Sequence, residues 1–490
     1  MTHVNKNIDI TLNKIKNSMG NSSDFFARTI NINNKKIMYC FLESTSSDDK
    51  ISNYLVKNLS EDIRFTNKRF FDELFIGLEN TIPNSKLKII TNIDEIPYHL
   101  ASGFTCIFVS GYEKCIVIET KANLDRSIQE SSSEAVIRGP KDSFTENHMT
   151  NIGLIRKRIK DKNLFFDEII VGRRTKTKVS VAYINGITNK DWVNKTKKII
   201  KKIDIDGILD SSYVREFLSP REHSAFPKII STERPDFTCA SLLDGKICIL
   251  VENSPYALLM PSVLSDFLHS AEDNYQKPFN ISFTRILRTI AFFITILTPA
   301  IYIAVTNFNQ EMIPDRLLIS LAVQREGVPF PTPFEVFMLG ITFEILRESD
   351  IRIPKVTGTA ISVVGALVLG DAAVNAGIIS PIVVIIIAIT SICGLVFTDI
   401  DFINAIRWWR MFFIFCATLM GIIGIVCGGI IFVTKLASLE SLGIPYLAPL
   451  SPLYFKDNNN TSIRLPRNKI FRRPTFLKLK NEKKLEESNE

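Results

Sequence analysis

The sequence predicts an α+β cytoplasmic N-terminal region of two subdomains followed by an all-α polytopic membrane domain. Three observations carry this expectation. Uncharged runs long enough to cross a bilayer do not occur before about residue 284, yet they dominate between residues 289 and 434. Strand-like and helix-like patterns intermix ahead of that boundary. Behind the last apolar run, residues 456–490 hold ten Lys or Arg against five acids, and a basic cluster directly after a span marks the cytoplasmic side.

Taken in order, residues 1–30 read as a polar tail with no apolar core of the kind a signal peptide needs, so the N-terminal region is expected to stay in the cytoplasm. Lys35–Leu42 (KKIMYCFL) reads as a buried strand, and the run from Phe104 gives two β-rich stretches around Gly111, Tyr112, Glu113 and Lys114, a hairpin signal. Residues 165–172 and 177–184 make a second strand pair. A basic helix over 191–203 and another hairpin around Asn253, Ser254 and Pro255 complete the region. The expected divisions are a first subdomain over 31–130, a second over 131–284, a membrane domain over 285–455 and a basic cytoplasmic tail over 456–490.

In the apolar half, residues 289–310 are uncharged for 22 positions, enough for a helix to span about 30 Å of hydrocarbon. Residues 356–397 carry no charge but Asp371 and suit two helices broken near Asn375, Ala376 and Gly377; residues 411–434 suit a fourth span. The short stretch 334–346, with Glu335 and Glu344, and the proline-rich stretch 442–455 are ambiguous, so four or six crossings both fit two cytoplasmic termini. Ionisable side chains at membrane depth are costly. Glu344 and Glu348, four apart on one helix face, and Asp371 are therefore candidates for an ion pathway. The competing reading pairs these acids with Arg347 and Arg352, where they would only orient helices.

The net charge of +8 and the segment 145–202, with fifteen basic and five acidic residues, fit a solvated helix face, an anionic lipid surface or nucleic acid. No nucleic-acid module accompanies the charge, so no such partner is expected. Eight cysteines without C-x-x-C spacing and five scattered histidines support neither a metal nor a disulfide framework, although Cys106 and Cys115 could face each other across a hairpin. No nucleophile–base set or phosphate-binding glycine loop stands out, so neither an enzyme nor a cofactor is expected.

Several blocks, in order along the chain, carry a resemblance: Val136, Ile137, Arg138, Gly139, Pro140; then Phe144, Thr145, Glu146; Asn151 with Leu154 to Ile159; and Glu233, Arg234, Pro235, Asp236. In the apolar half they continue as Val328 to Pro331, Phe343 to Glu348, Ile351 to Pro354 and Val364 to Gly370. Over roughly residues 40–455 the chain resembles the A subunits of the spore germinant receptors, the GerA family. It departs from the family pattern at Gly340, at Asp371, and at Asn253, where glycine is usual. The resemblance implies a multi-pass protein of the spore inner membrane that assembles with a transporter-like B subunit, a lipoprotein C subunit and other A subunits. It further implies a ligand-gated ion channel that couples nutrient sensing to cation release, with a secondary transporter as the alternative. Arg138, Gly139, Pro140, Arg234, Asp236, Arg347 and Arg352 are then expected to serve structure or assembly, with membrane lipids as further partners.

Overall fold

The computed structural model describes residues 3–32, 35–53, 70–81, 86–123, 134, 136, 138–219, 224–352, 370–454, 457, 461 and 463–484. Two compact units emerge: residues 1–222, 229–262 and 467–490 form one, residues 223–228 and 263–466 the other.

In the first unit, α1 (Ile8–Ser18) occupies the stretch whose composition suggests a polar tail. Its cause is local. The Asn7 side chain accepts a hydrogen bond from the Asp9 amide and caps the helix, and Val4, Ile8, Ile15 and Met19 form a buried stripe. That stripe covers one face of a five-stranded sheet built from β1 (Phe25–Ile32), β2 (Lys35–Leu42), β3 (Leu87–Ile90), β4 (Phe104–Val109) and β5 (Cys115–Glu119). The helix α2 (Phe70–Thr81) covers the opposite face with Phe70, Phe71, Leu74 and Leu78. Because strand side chains alternate, Met38, Cys40 and Leu42 face α1 while Ile37, Tyr39 and Phe41 face α2. KKIMYCFL is apolar without alternation for that reason.

A second five-stranded sheet holds β6 (Leu164–Val171), β7 (Thr177–Ile184), β8 (Ile230–Thr232), β9 (Ile247–Val251) and β10 (Ala257–Met260). The helices α3 (His148–Arg158), α4 (Lys190–Lys201), α5 (Ser211–Leu218) and α6 (Pro235–Leu243) intersperse it. The strand orders are β1-β2-β4-β5-β3 and β6-β7-β9-β10-β8, and every pairing is antiparallel. The two sheets thus share one topology, offset by five strands. Asn253 turns the β9–β10 hairpin at φ 65°, the left-handed conformation that glycine adopts freely and asparagine tolerates.

The basic C-terminal stretch is not a free tail. Arg473 donates to the Leu243, Asn481 and Lys483 carbonyls, and Leu479 lies against Gly245. Gly245 has φ +93° and a Cβ there would fall 2.6 Å from Leu479. Phe476 and Leu477 are buried as well.

The second unit is helical: α7 (Pro278–Asn307), α8 (Asp315–Arg325), α9 (Thr332–Arg352), α10 (Pro381–Gly394) and α11 (Ile400–Ser438). Among the described residues, α7 is long and apolar enough to cross a membrane by length and composition, α11 is so only when its two limbs are counted as one helix, and α10 is a shorter apolar helix. The break expected near Gly377 is present as a turn at φ +65° ahead of α10. The helix expected before it falls largely on residues outside those described. Residues 442–455 form no helix in their described part; they open with a strand pair, Glu440–Ser441 with Ile444–Pro445, followed by turns.

The expected single span over 411–434 does not run straight. Trp409 and Phe432 have ring centroids 4.8 Å apart, whereas a continuous helix would separate positions that distant in sequence by about 35 Å. The chain folds back at Gly421, whose φ 58° and ψ −134° are non-helical. Phe413 meets both Gly428 and Phe432 across the resulting pair of limbs. A Cβ at Gly421 would sit 2.8 Å from Phe308, and one at Gly424 would strike the Cys416 carbonyl. Glycine is required at the fold.

At the base of α7, Arg464 donates to the Gln276 and Asn274 carbonyls, its amide donates to Ser282, and the His269 ring meets the Thr461 carbonyl at 2.8 Å. The chain therefore leaves the apolar helices at the same end of α7 by which it reached them.

Candidate functional site

Two sets of charged residues answer to the sequence expectations, one in each unit. In the first unit the blocks around Pro140 and Arg234 meet. Arg234, 2% exposed, donates from Nε and Nη2 to the two oxygens of Asp236 at 3.1 and 2.8 Å, and from Nη2 to the Pro140 carbonyl at 2.9 Å. The Thr232 hydroxyl donates to Glu134, and the Phe144 amide to the Glu233 carbonyl. Arg138 and Gly139 are exposed in the turn before Pro140, with Gly139 at φ 131°. Arg234 and Asp236 thus hold the interior of this cluster, and Arg138 lies outside it.

Behind it, α3 is anchored by a pairing that local sequence spacing does not suggest. Arg156 and Asp24 are both fully buried and joined through Nε and Nη2 at 2.6 and 2.8 Å, with Ser22 and Ser44 completing the Asp24 carboxylate. Burial pushes the Asp24 pKa up, but the Arg156 charge and these hydrogen bonds prevail and hold it below the ordinary carboxylate value. His148 on the same helix meets the Ser180 hydroxyl at 2.8 Å. Burial lowers its pKa to about 4.

In the helical unit, Glu344 lies between two arginines of α11: Arg410 Nη2 at 2.6 Å and Arg407 Nε at 2.8 Å. The pairing partners expected from sequence were Arg347 and Arg352. Arg347 is half-buried on α9, and the Arg352 side chain lies outside the described residues. Arg407 and Arg410, on the first limb of α11, supply the ion pairs, and Arg347 lies within electrostatic range of Glu344 and of both arginines. Glu348 and Asp371 are exposed.

A second polar group, not singled out from sequence, surrounds Glu335. This glutamate is fully buried; its Oε2 accepts from the Ser380 amide at 2.8 Å, and Arg325 stands 3.9 Å from Oε1. Glu335 Oε1, the Thr332, Ser380 and Tyr302 hydroxyls and Arg325 Nε are all buried without a hydrogen-bond partner. Four helices converge there. The signal in the sequence is Glu335 itself, an acid inside an apolar stretch, three residues after a helix-starting Thr332. Buried polar atoms left open in this way are costly and are commonly satisfied by water or an ion.

Cys40, Cys106, Cys115, Cys239 and Cys248 are buried. Cys106 is opposite Cys40 in the β2–β4 register and diagonal to Cys115 across the β4–β5 hairpin, and the three thiols meet on one buried face of the sheet. The Cys106 thiol and burial push Cys40 well above its ordinary pKa. Among the described residues no group of three or more His, Cys, Asp or Glu could hold a metal ion.

A family model described as Bacillus/Clostridium GerA spore germination protein matches residues 13–476. Spore germination protein KA of Bacillus subtilis (strain 168) is 37% identical over 455 residues, covering 92% of this chain and 83% of that protein. Spore germination protein GerLA of Bacillus cereus is 32% identical over 485 residues, covering 97% and 96%. The crystal structure of the N-terminal domain of the A subunit of the Bacillus megaterium spore germinant receptor GerK3 is 28% identical, covers 54% of this chain and 98% of that one, and superposes with a TM-score of 0.43.

Proposed function

Because this chain belongs to the GerA family of spore germination proteins, we propose that it is the A subunit of a nutrient germinant receptor in the spore inner membrane. It couples germinant sensing to ion release and so starts germination, in an oligomer of A subunits with a transporter-like B subunit and a lipoprotein C subunit. The observation that carries the coupling role is the set of ionisable groups among apolar helices, the buried Glu335 beside Arg325 and Glu344 between Arg407 and Arg410. Charge retained at such depth is a mark of ion paths and of two-state helix contacts. An even number of crossings with both termini on the cytoplasmic side is supported by the return of the chain to the base of α7 at Thr461 and Arg464.

Ion flux through purified receptor in liposomes tests the proposal. Germinant-dependent release down a gradient, with no uptake against one, is the expected result. Accumulation against a gradient would replace the channel with a secondary transporter, and no flux with normal assembly would leave a scaffolding subunit.

A further inference from the structure

The two limbs of α11 change character at one level. On the first, the charges end with Arg407 and Arg410 and residues 411–420 carry none; on the second, residues 422–434 carry none and Lys435 follows. The 4.8 Å contact of Trp409 with Phe432 sets these two transitions side by side. The apolar part of the first limb rises about 15 Å, half of the roughly 30 Å hydrocarbon thickness, so this level corresponds to one headgroup boundary with Gly421 near mid-depth.

At that level lies a groove of about 220 Å³ lined by Phe226, Trp408, Trp409, Phe412, Lys435 and Leu439, among others. Its volume falls below the roughly 300–1,000 Å³ of ordinary small-molecule sites. The floor is apolar and aromatic: Phe226 is buried, and Trp409 and Phe412 are half-buried. The rim is polar and open, for Trp408 is 72% exposed and Lys435 is exposed. Among the described residues neither Lys435 nor either indole N–H has a protein acceptor. One ammonium and two indole donors beside an apolar trough match a ligand with an anionic oxygen cluster at one end and hydrocarbon at the other. Aromatic rings and lysines gather at this depth for the same reason in membrane proteins generally.

We propose that this groove is a binding site for one anionic phospholipid, its phosphodiester held by Lys435 and the indoles and an acyl chain lying along Phe226 and Phe412. The proposal rests on the chain residing in a bilayer, and it is independent of ion conduction.

The chain has three tryptophans, Trp192, Trp408 and Trp409, so its fluorescence can report on the groove. Full-length protein carrying Trp192→Phe would be reconstituted in vesicles containing either brominated phosphatidylglycerol or brominated phosphatidylcholine at equal mole fraction. Quenching by the anionic lipid should be about twofold stronger. Lys435→Gln should reduce it to the phosphatidylcholine level, and Lys435→Arg should restore it. Equal quenching by both lipids, or an excess that survives Lys435→Gln, would leave ordinary boundary lipid and overturn the site. Absence of quenching by either lipid would overturn both the site and the bilayer residence on which it rests. Ion flux measured in the same vesicles reports separately on the channel.

Discussion

Arg156 and Asp24 stand 132 positions apart in the sequence, yet they form a two-point ion pair with no solvent exposure on either side chain. The pair fixes α3 to the segment that leads into β1. The Ser22 hydroxyl extends the link, accepting from the Phe166 amide of β6 while the Ser23 amide donates to the Phe166 carbonyl.

Asp24→Asn would keep the shape but leave Arg156 as a buried, uncompensated cation. The expected loss is about 3–5 kcal/mol, read as a lowered denaturant midpoint by circular dichroism of purified protein. A change under about 1 kcal/mol would mean that water reaches the pair.

Stability should fall on acidification because of His148. Its folded pKa, about 4, lies below its ordinary 6.5, so the unfolded chain binds the proton first. The stabilisation is complete above pH 6.5 and is lost as pH falls towards 4, by at most about 3 kcal/mol. His269, also held near 4 by burial and the Arg285 charge, adds a like contribution. His148→Gln should therefore flatten the pH dependence of the unfolding midpoint only in part. An unchanged profile would place the titration elsewhere.

Glu344→Gln removes the counter-charge from Arg407 and Arg410, the latter with only 8% of its side chain exposed. If the group locks α9 to α11, the cost is about 3 kcal/mol and receptor abundance in spores drops. Abundance and germination-linked cation release are measured together in the mutant spores. Normal abundance with reduced release would instead make Glu344 part of the ion path.

The fold of α11 can be checked chemically. Cysteines placed at Trp409 and Phe432, with Cys416 and Cys427 replaced by serine, should be bridged by a bifunctional thiol reagent of about 10 Å reach, whereas a straight helix would hold the two positions about 35 Å apart. Introducing Gly421→Val alongside them should suppress the crosslink, because a β-branched residue at φ 58° is strained and its Cβ would collide with Phe308. Failure of the first pair to crosslink would restore a straight span.

Much of this architecture is legible in the amino-acid sequence itself. The strand Lys35–Leu42, the hairpins around Gly111 and Asn253 and the α+β character are written in local pattern, and local pattern is what a short window can read. Helix α1 is legible too, though masked by polar neighbours; the spacing of Ile8, Ile15 and Met19 is its signature. The fold at Gly421 is not legible, because hydropathy reports solvent preference and carries no sign of chain direction. The partners of Glu344 and Asp24 are hidden by distance along the chain: local spacing favours Arg347, and only packing supplies Arg407, Arg410 or Arg156.

The docking of residues 473–479 has a consequence for biosynthesis. Arg473 binds the Leu243 carbonyl and Leu479 covers Gly245, so a unit whose strands are all made before the apolar helices waits for residues made after them. A chain arrested after its apolar helices would present Gly245 and its surroundings uncovered, a defect that quality-control proteases could read before assembly begins.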